Sequence, residues 1–114
     1  MDSECIFCKI AKGDIPAKKI YEDDHVLAFH DINPVAPTHI IVIPKKHFPT
    51  LNDVPEKELN ILSKIYAAIQ KVVQTTKIAN KGYRTILNTN KEAGQEIFHM
   101  HFHVLGGRPL GTMG

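Results

Sequence analysis

The chain has 114 residues, one domain's worth, and a domain of this size buries roughly 65% of the surface its unfolded chain would expose. Hydrophobic residues at 43%, charged residues at 23% and a formal charge of +2 argue against disorder and against electrostatic partnership with nucleic acid or an anionic membrane. No apolar run approaches the ~20 residues that span a bilayer. The start Met1-Asp2-Ser3-Glu4 lacks the basic and apolar regions of a signal peptide, so a cytoplasmic protein with reduced thiols is expected.

In chain order, Cys5 to Lys12 reads as a short helix, stopped by Gly13 and then Pro16. Lys19 to Glu22 and Val26 to His30 are short β-prone runs around Asp23-Asp24, which predicts a hairpin. Asp31 to Thr38 holds two prolines and reads as loop. His39 to Ile43 is rich in β-branched residues and stops at Pro44, the pattern of a buried central strand. A long helix is predicted from Asp53, with Glu56 completing a capping-box-like pair. Its apolar stripe is Leu59, Leu62, Ile65, Ile69 and Val72, and it fades near Thr75-Thr76. Tyr83 to Asn88 is a further strand, Asn90 to Glu96 a polar loop, and Phe98 to Leu105 a last strand ending at Gly106-Gly107. One hairpin, one long helix and further strands give a single α+β domain over 1–114 with a mostly antiparallel sheet.

Seven histidines occur, three of them at 99, 101 and 103 with Met100, Phe102 and Val104 interleaved. On a strand, period two places three imidazoles on one face and three apolar chains on the other. Successive imidazoles would stand about 6.7 Å apart and the outer two about 13 Å apart. One tetrahedral zinc, with nitrogens ~2.0–2.1 Å from the metal, takes all three awkwardly. Such a row suits an elongated anionic ligand better, though a solvated histidine-rich face has the same pattern. At pH 7 about three quarters of an unperturbed imidazole population is neutral and nucleophilic. Histidine can form a covalent intermediate at phosphorus, and a neighbour can protonate the leaving group. No Gly-rich loop with a following Lys and Ser/Thr exists, which excludes a P-loop mechanism.

Phe98 to Gly107 resembles the signature of the histidine triad superfamily, in which three histidines alternate with apolar residues. Ile15 to Ala17, Tyr21 to Asp24, Ala28 to Ile32, Ala36 to His39, Val42 to His47, Lys81 to Arg84, Gly94-Gln95 and Gly106 to Arg108 are similar to its Hint branch. The resemblance covers nearly the whole chain. It implies a five-stranded antiparallel sheet with one long and one short helix, continued as a ten-stranded sheet across a homodimer. It further implies hydrolysis of purine nucleoside 5′-phosphoramidates, as by an adenosine 5′-monophosphoramidase, through a nucleotidyl-histidine.

On that resemblance His101 is the nucleophile, His103 contacts the phosphate and leaving group, and His39 supports them. Asp31 accepts from the ribose hydroxyls. Ile6, Phe7, Ile10, Phe29, His30, Ile32 and Ile41 form the purine slot, and Asn88 with Gly94, Gln95, Glu96 and Ile97 contacts the phosphate. Asp31 can equally cap the Asn33-Pro34 turn. Position 96 is Glu, common in bacterial relatives, where animal Hint proteins carry Ser; the tail after Arg108 is also short. Both leave the leaving-group preference open. Two other functions share these motifs: dinucleoside polyphosphate hydrolysis, as in the Fhit-like branch, and a non-enzymatic purine-nucleotide-binding adaptor.

Cys5 and Cys8 form C-x-x-C, a spacing that suits two thiolates on one zinc but equally two buried thiols. A thioredoxin-like reading lacks the strand expected before the motif. Relatives carrying the pair complete a structural zinc site with two histidines, and the matching positions are His47 and His99. That division leaves His101 and His103 for chemistry, with no cofactor needed for it.

Overall fold

The computed structural model describes residues 4–114. Five strands form one antiparallel sheet: β1 (Lys19–Glu22), β2 (Val26–His30), β3 (Thr38–Pro44), β4 (Tyr83–Leu87) and β5 (Phe102–Gly106), in the order β1-β2-β3-β5-β4. Two helices, α1 (Ile6–Lys12) and α2 (Asn60–Thr75), lie on opposite faces. The expected five-stranded antiparallel sheet with one long and one short helix therefore stands. Among the described residues no helix is long and apolar enough to cross a membrane.

Period two explains the layering. Ile40 and Val42 of β3, with Val104 and Phe102 of β5, face α2, whose Ile65, Ala68, Ile69, Val72 and Val73 are buried against them. Ile41 and Ile43 point the other way, toward Phe7, Cys8 and Ile10 of α1. Both faces of β3 are thus covered, which is why it reads as a continuous apolar run and not as an alternation. His39 and His103 share parity with Ile41 and so open onto the α1 side, where Ile41 is registered opposite His103.

The boundaries of α1 come from its ends. Cys5 is the N-cap, its sulfur accepting the Cys8 N–H, and Gly13 closes the helix at φ 86°, a left-handed cap suited to glycine. Two expectations need correction. The capping box is made by Thr50 and Asp53 around a short 3-10 turn, not by Asp53 and Glu56. Pro55 keeps Val54 extended (ψ 115°), a second 3-10 turn follows, and α2 begins only at Asn60. The last strand begins at Phe102 and not at Phe98. Residues 98–101 stay out of the strand because their polar groups bond elsewhere: the Met100 N–H goes to the Phe48 carbonyl, and the His99 and His101 rings to the backbone. The 6.7 Å strand spacing therefore does not hold for this stretch, and the His101 and His103 ring centroids are 5.1 Å apart. The side-chain alternation survives, since Met100, Phe102 and Val104 all enter the α2-side core.

Candidate active site and metal cluster

A cleft of about 500 Å³ opens on the α1 side of the sheet. Its apolar wall is formed by Ile6, Phe7 and Ile10 from α1, Phe29 from β2, Ile41 from β3, and Ile32 and Ile97. His30, Asp31, Asn88, Gly94 and Glu96 stand around it, and His39, His101 and His103 form its polar floor. The structure thus brings together every predicted nucleotide-site and catalytic residue except Gln95. Gln95 is buried, and its carboxamide accepts from the Asn90 N–H and donates to the Pro49 and Ile97 carbonyls. Its own N–H bonds the Asn90 carbonyl, so all its N–H groups are committed to shaping the loop.

Sequence reasoning missed Ile15, Pro16, Ala17, Asn33 and Val35, which also line the cleft. Ile15 to Ala17 carried the one available signal: a chain stopped by Gly13 must return to β1 across the mouth of α1. Ile32 is 91% exposed and Val35 63%, so the rim offers apolar surface to something flat.

Hydrogen-bond partners assign each imidazole its tautomer. His101 Nδ1 is 2.8 Å from the His99 carbonyl and must donate to it, so its Nε2 carries a lone pair. Val35 N–H donates to His39 Nδ1 at 3.2 Å, which puts the proton of His39 on Nε2. From there it is donated to His103 Nδ1 at 2.9 Å, leaving His103 with an Nε2–H. The floor therefore holds one nucleophilic lone pair and one N–H donor on adjacent imidazoles.

Burial keeps these rings neutral. It holds His101 below the ordinary imidazole value, against the pull of the His99 carbonyl and Asp31. His103 is pushed down to about 4 by burial and by His101 and His39, with Asp31 opposing. His39 is likewise lowered by burial against Asp31. Asp31 fills the turn-capping role, one carboxylate oxygen accepting the Asn33 N–H at 2.7 Å, while the other lies 3.4 Å from His39 Nε2. Asp31, His39 and His103 lie close enough to hold a cation, but His39 cannot serve. A metal on Nε2 would require Nδ1–H, which would oppose the Val35 N–H.

Behind Phe7, whose ring touches both His99 and His101 edge-on (5.9 and 5.1 Å), the second cluster forms. The ligating atoms of Cys5, Cys8, His47 and His99 lie within 4.8 Å of one another. His99 Nδ1 stands 3.3 and 3.5 Å from the two sulfurs and 3.2 Å from His47 Nδ1, which is 3.3 Å from the Cys8 sulfur. A tetrahedral zinc with N and S ligands has edges of about 3.3–3.6 Å, so these residues fit such an ion. His99 Nε2 donates to the Pro44 carbonyl at 2.7 Å, which fixes Nδ1 as the free lone pair. Burial pushes His99 down to about 4, the neutral form a ligand needs. All four predicted metal ligands converge.

The HIT domain family model matches residues 12–110, and the chain belongs to this histidine triad family. It is 48% identical over 113 residues to the purine nucleoside phosphoramidase of Escherichia coli K12, covering 99% of this chain and 95% of that protein. Protein HitA of Neisseria gonorrhoeae is 41% identical over 102 residues, or 90% and 94% of the two chains. A histidine triad protein from Clostridium difficile superposes with TM-score 0.97 at 48% identity, covering 100% of this chain and 99% of that one. A histidine triad nucleotide-binding protein from Candida albicans gives 0.81 at 33% identity, over 97% and 87%.

Proposed function

We propose that this chain is a purine nucleoside phosphoramidase, a hydrolase of adenosine 5′-phosphoramidate-type substrates acting through His101. One observation carries the reading: the neutral His101 ring has its Nδ1–H committed to the His99 carbonyl, so its only free valence is an Nε2 lone pair in the cleft. That lone pair bonds to phosphorus as the bond to the leaving nitrogen breaks. The departing nitrogen takes its proton from solvent, while the His103 Nε2–H donates a hydrogen bond to the phosphoryl group and leaving group. Water then attacks the nucleotidyl-histidine, releasing the monophosphate and freeing the His101 lone pair. The 48% identity to a phosphoramidase over nearly the full chain supports the same activity.

In this reading the purine lies between the aliphatic walls of Ile6, Ile10, Ile32 and Ile41 beside Phe7, Phe29 and His30. Asp31 takes the ribose hydroxyls, and Asn88, Gly94, Glu96 and Ile97 surround the phosphate. Dinucleoside polyphosphate hydrolysis is disfavoured by charge. The cleft residues include Asp31 and Glu96 but no lysine or arginine, and three neutral imidazoles, two buried and one half-buried, do little for a polyanion. Cys5, Cys8, His47 and His99 hold a structural zinc, whose contribution when bound is to fix the first turn of α1 against the 98–101 segment. The protein works as a homodimer, a reading supported by the resemblance and by the open outer edge of β4, where Tyr83 is 40% exposed. Light scattering on the purified protein tests it.

The deciding experiment is turnover of adenosine 5′-phosphoramidate by wild type and His101→Ala, with mass analysis of quenched enzyme. Loss of at least ~10³-fold in kcat, and a nucleotide adduct seen only with wild type, are expected. Comparable turnover by the variant would remove His101 as nucleophile.

A further inference from the structure

The loop joining β2 to β3 rims the cleft, and its Val35 is held at both polar groups of its backbone. The Val35 N–H donates inward to His39 Nδ1 at 3.2 Å. The Val35 carbonyl accepts outward from Arg108 Nη2 at 2.9 Å. Arg108 lies two residues beyond the end of β5, is exposed, and is not among the residues lining the cleft. Its Nη1 also donates to the Pro109 carbonyl at 2.9 Å, which sets the plane of the guanidinium.

Gly107 explains how Arg108 reaches the loop. Its φ is +96°, and a Cβ there would stand 2.9 Å from Pro37 Cβ, so only glycine lets the chain close against Pro37 and Thr38 at this point.

The inner bond matters because of what it selects. While Val35 N–H faces Nδ1, His39 must carry its proton on Nε2 and donate to His103 Nδ1. If Val35 drifted, His39 could take the other tautomer, setting a lone pair against the lone pair of His103 and near the Asp31 carboxylate, 3.4 Å away. His103 would then move its own proton to Nδ1 and lose the Nε2–H that faces substrate. A wrong tautomer in such a network is a large catalytic loss even where the geometry is intact.

We propose that Arg108 is a positioning residue for the histidine network: by clamping Val35 it holds His39 in its Nε2–H form and thereby keeps the His103 donor turned to the cleft. The proposal rests on the catalytic reading of His101 and His103 given above.

The test uses full-length protein labelled with ¹⁵N-histidine, in which two-bond ¹H–¹⁵N spectra report the tautomer of each ring. Wild type shows His39 as Nε2–H, and Arg108→Ala shows a mixture of both forms. For adenosine 5′-phosphoramidate, Arg108→Ala lowers kcat about 5- to 10-fold, the worth of one hydrogen bond, with little change in KM. Arg108→Lys, which keeps a cationic donor toward Val35, restores most of kcat and the single tautomer. An unchanged His39 pattern in Arg108→Ala overturns the proposal whatever the activity does, as does wild-type His39 protonated on Nδ1. If wild type does not turn over the phosphoramidate, the activity reading fails, while the tautomer shift still decides the role of Arg108.

Discussion

The Nδ1 of His101 lies 2.8 Å from the carbonyl oxygen of His99, and the ring of that same His99 faces the sulfurs of Cys5 and Cys8. The nucleophile of the proposed reaction is thus anchored to the backbone of a metal-cluster residue. A single peptide links two sites that the sequence presents as neighbours in a row.

Removal of the proposed zinc should therefore affect chemistry as well as folding. Exhaustive chelation, or Cys8→Ser, is expected to lower the melting temperature and to reduce kcat by about 10- to 100-fold, with a smaller effect on nucleotide binding. Metal content by mass spectrometry beside calorimetry and steady-state assay checks this. Full activity in verifiably metal-free protein would show that the cluster does not hold His101 in place.

Charge in the cleft should control substrate choice. Glu96→Lys replaces one of its two carboxylates with a cation, and kcat/KM for a diadenosine polyphosphate should rise several-fold, to about 5-fold at low ionic strength. The gain should fade as salt is added, because position 96 is exposed. A salt-independent gain would point to a steric cause instead.

Acid should weaken the β1-β2 hairpin through Asp23. Burial pulls its carboxyl up, but Tyr21 Oη–H at 2.6 Å and the N–H groups of His25 and Val26 at 2.7 and 2.8 Å outweigh it, leaving Asp23 below the usual carboxylate range. A lowered folded pKa means stability that is present above the unfolded value near ~3.9 and lost as pH falls through the folded one. Asp23→Asn should cost about 1 kcal/mol at pH 7, discounted for the group's exposure, and the difference from wild type should shrink below about pH 4. Denaturant melts at several pH values measure it. A constant difference down to pH 2 would sink the assignment.

The core facing α2 should be the main source of stability. Ile69 is 2% exposed, packed between α2 and the sheet, and Ile69→Ala should cost about 2–5 kcal/mol. It is not among the cleft-lining residues, so KM at a temperature where the variant is folded should match wild type. A loss under 1 kcal/mol would mean that the helix repacks around the gap.

Much of this was legible in the chain because local chemistry governs it. The β1-β2 hairpin, the β-branched run of β3 and the Gly13 stop of α1 each follow from short-range sterics and hydrophobic period. The start of α2 was misplaced because Asp53 and Glu56 imitate a capping box, whereas Thr50 holds the Asp53 carboxylate through its N–H and hydroxyl, and Pro55 breaks the chain between. The row at 98–105 was read as one strand because its apolar positions do alternate. What keeps its first half out of the strand is the pull of groups far away in sequence, such as Phe48 and Pro44.

By itself, the sequence determined the family, the antiparallel α+β class and most of the residues that the structure gathers in the cleft and the Cys/His cluster, since side-chain type and spacing survive any detail of packing. Only the tertiary structure decided how the three histidines divide. His99 turns toward the cysteines, His101 donates its Nδ1–H to a backbone carbonyl, and His103 accepts a hydrogen bond from His39, which takes its own orientation from Val35. Those roles depend on which nitrogen faces which partner, and every deciding partner but one lies on another segment of the chain. Period two can place an imidazole on a face, but only the folded neighbours choose its tautomer.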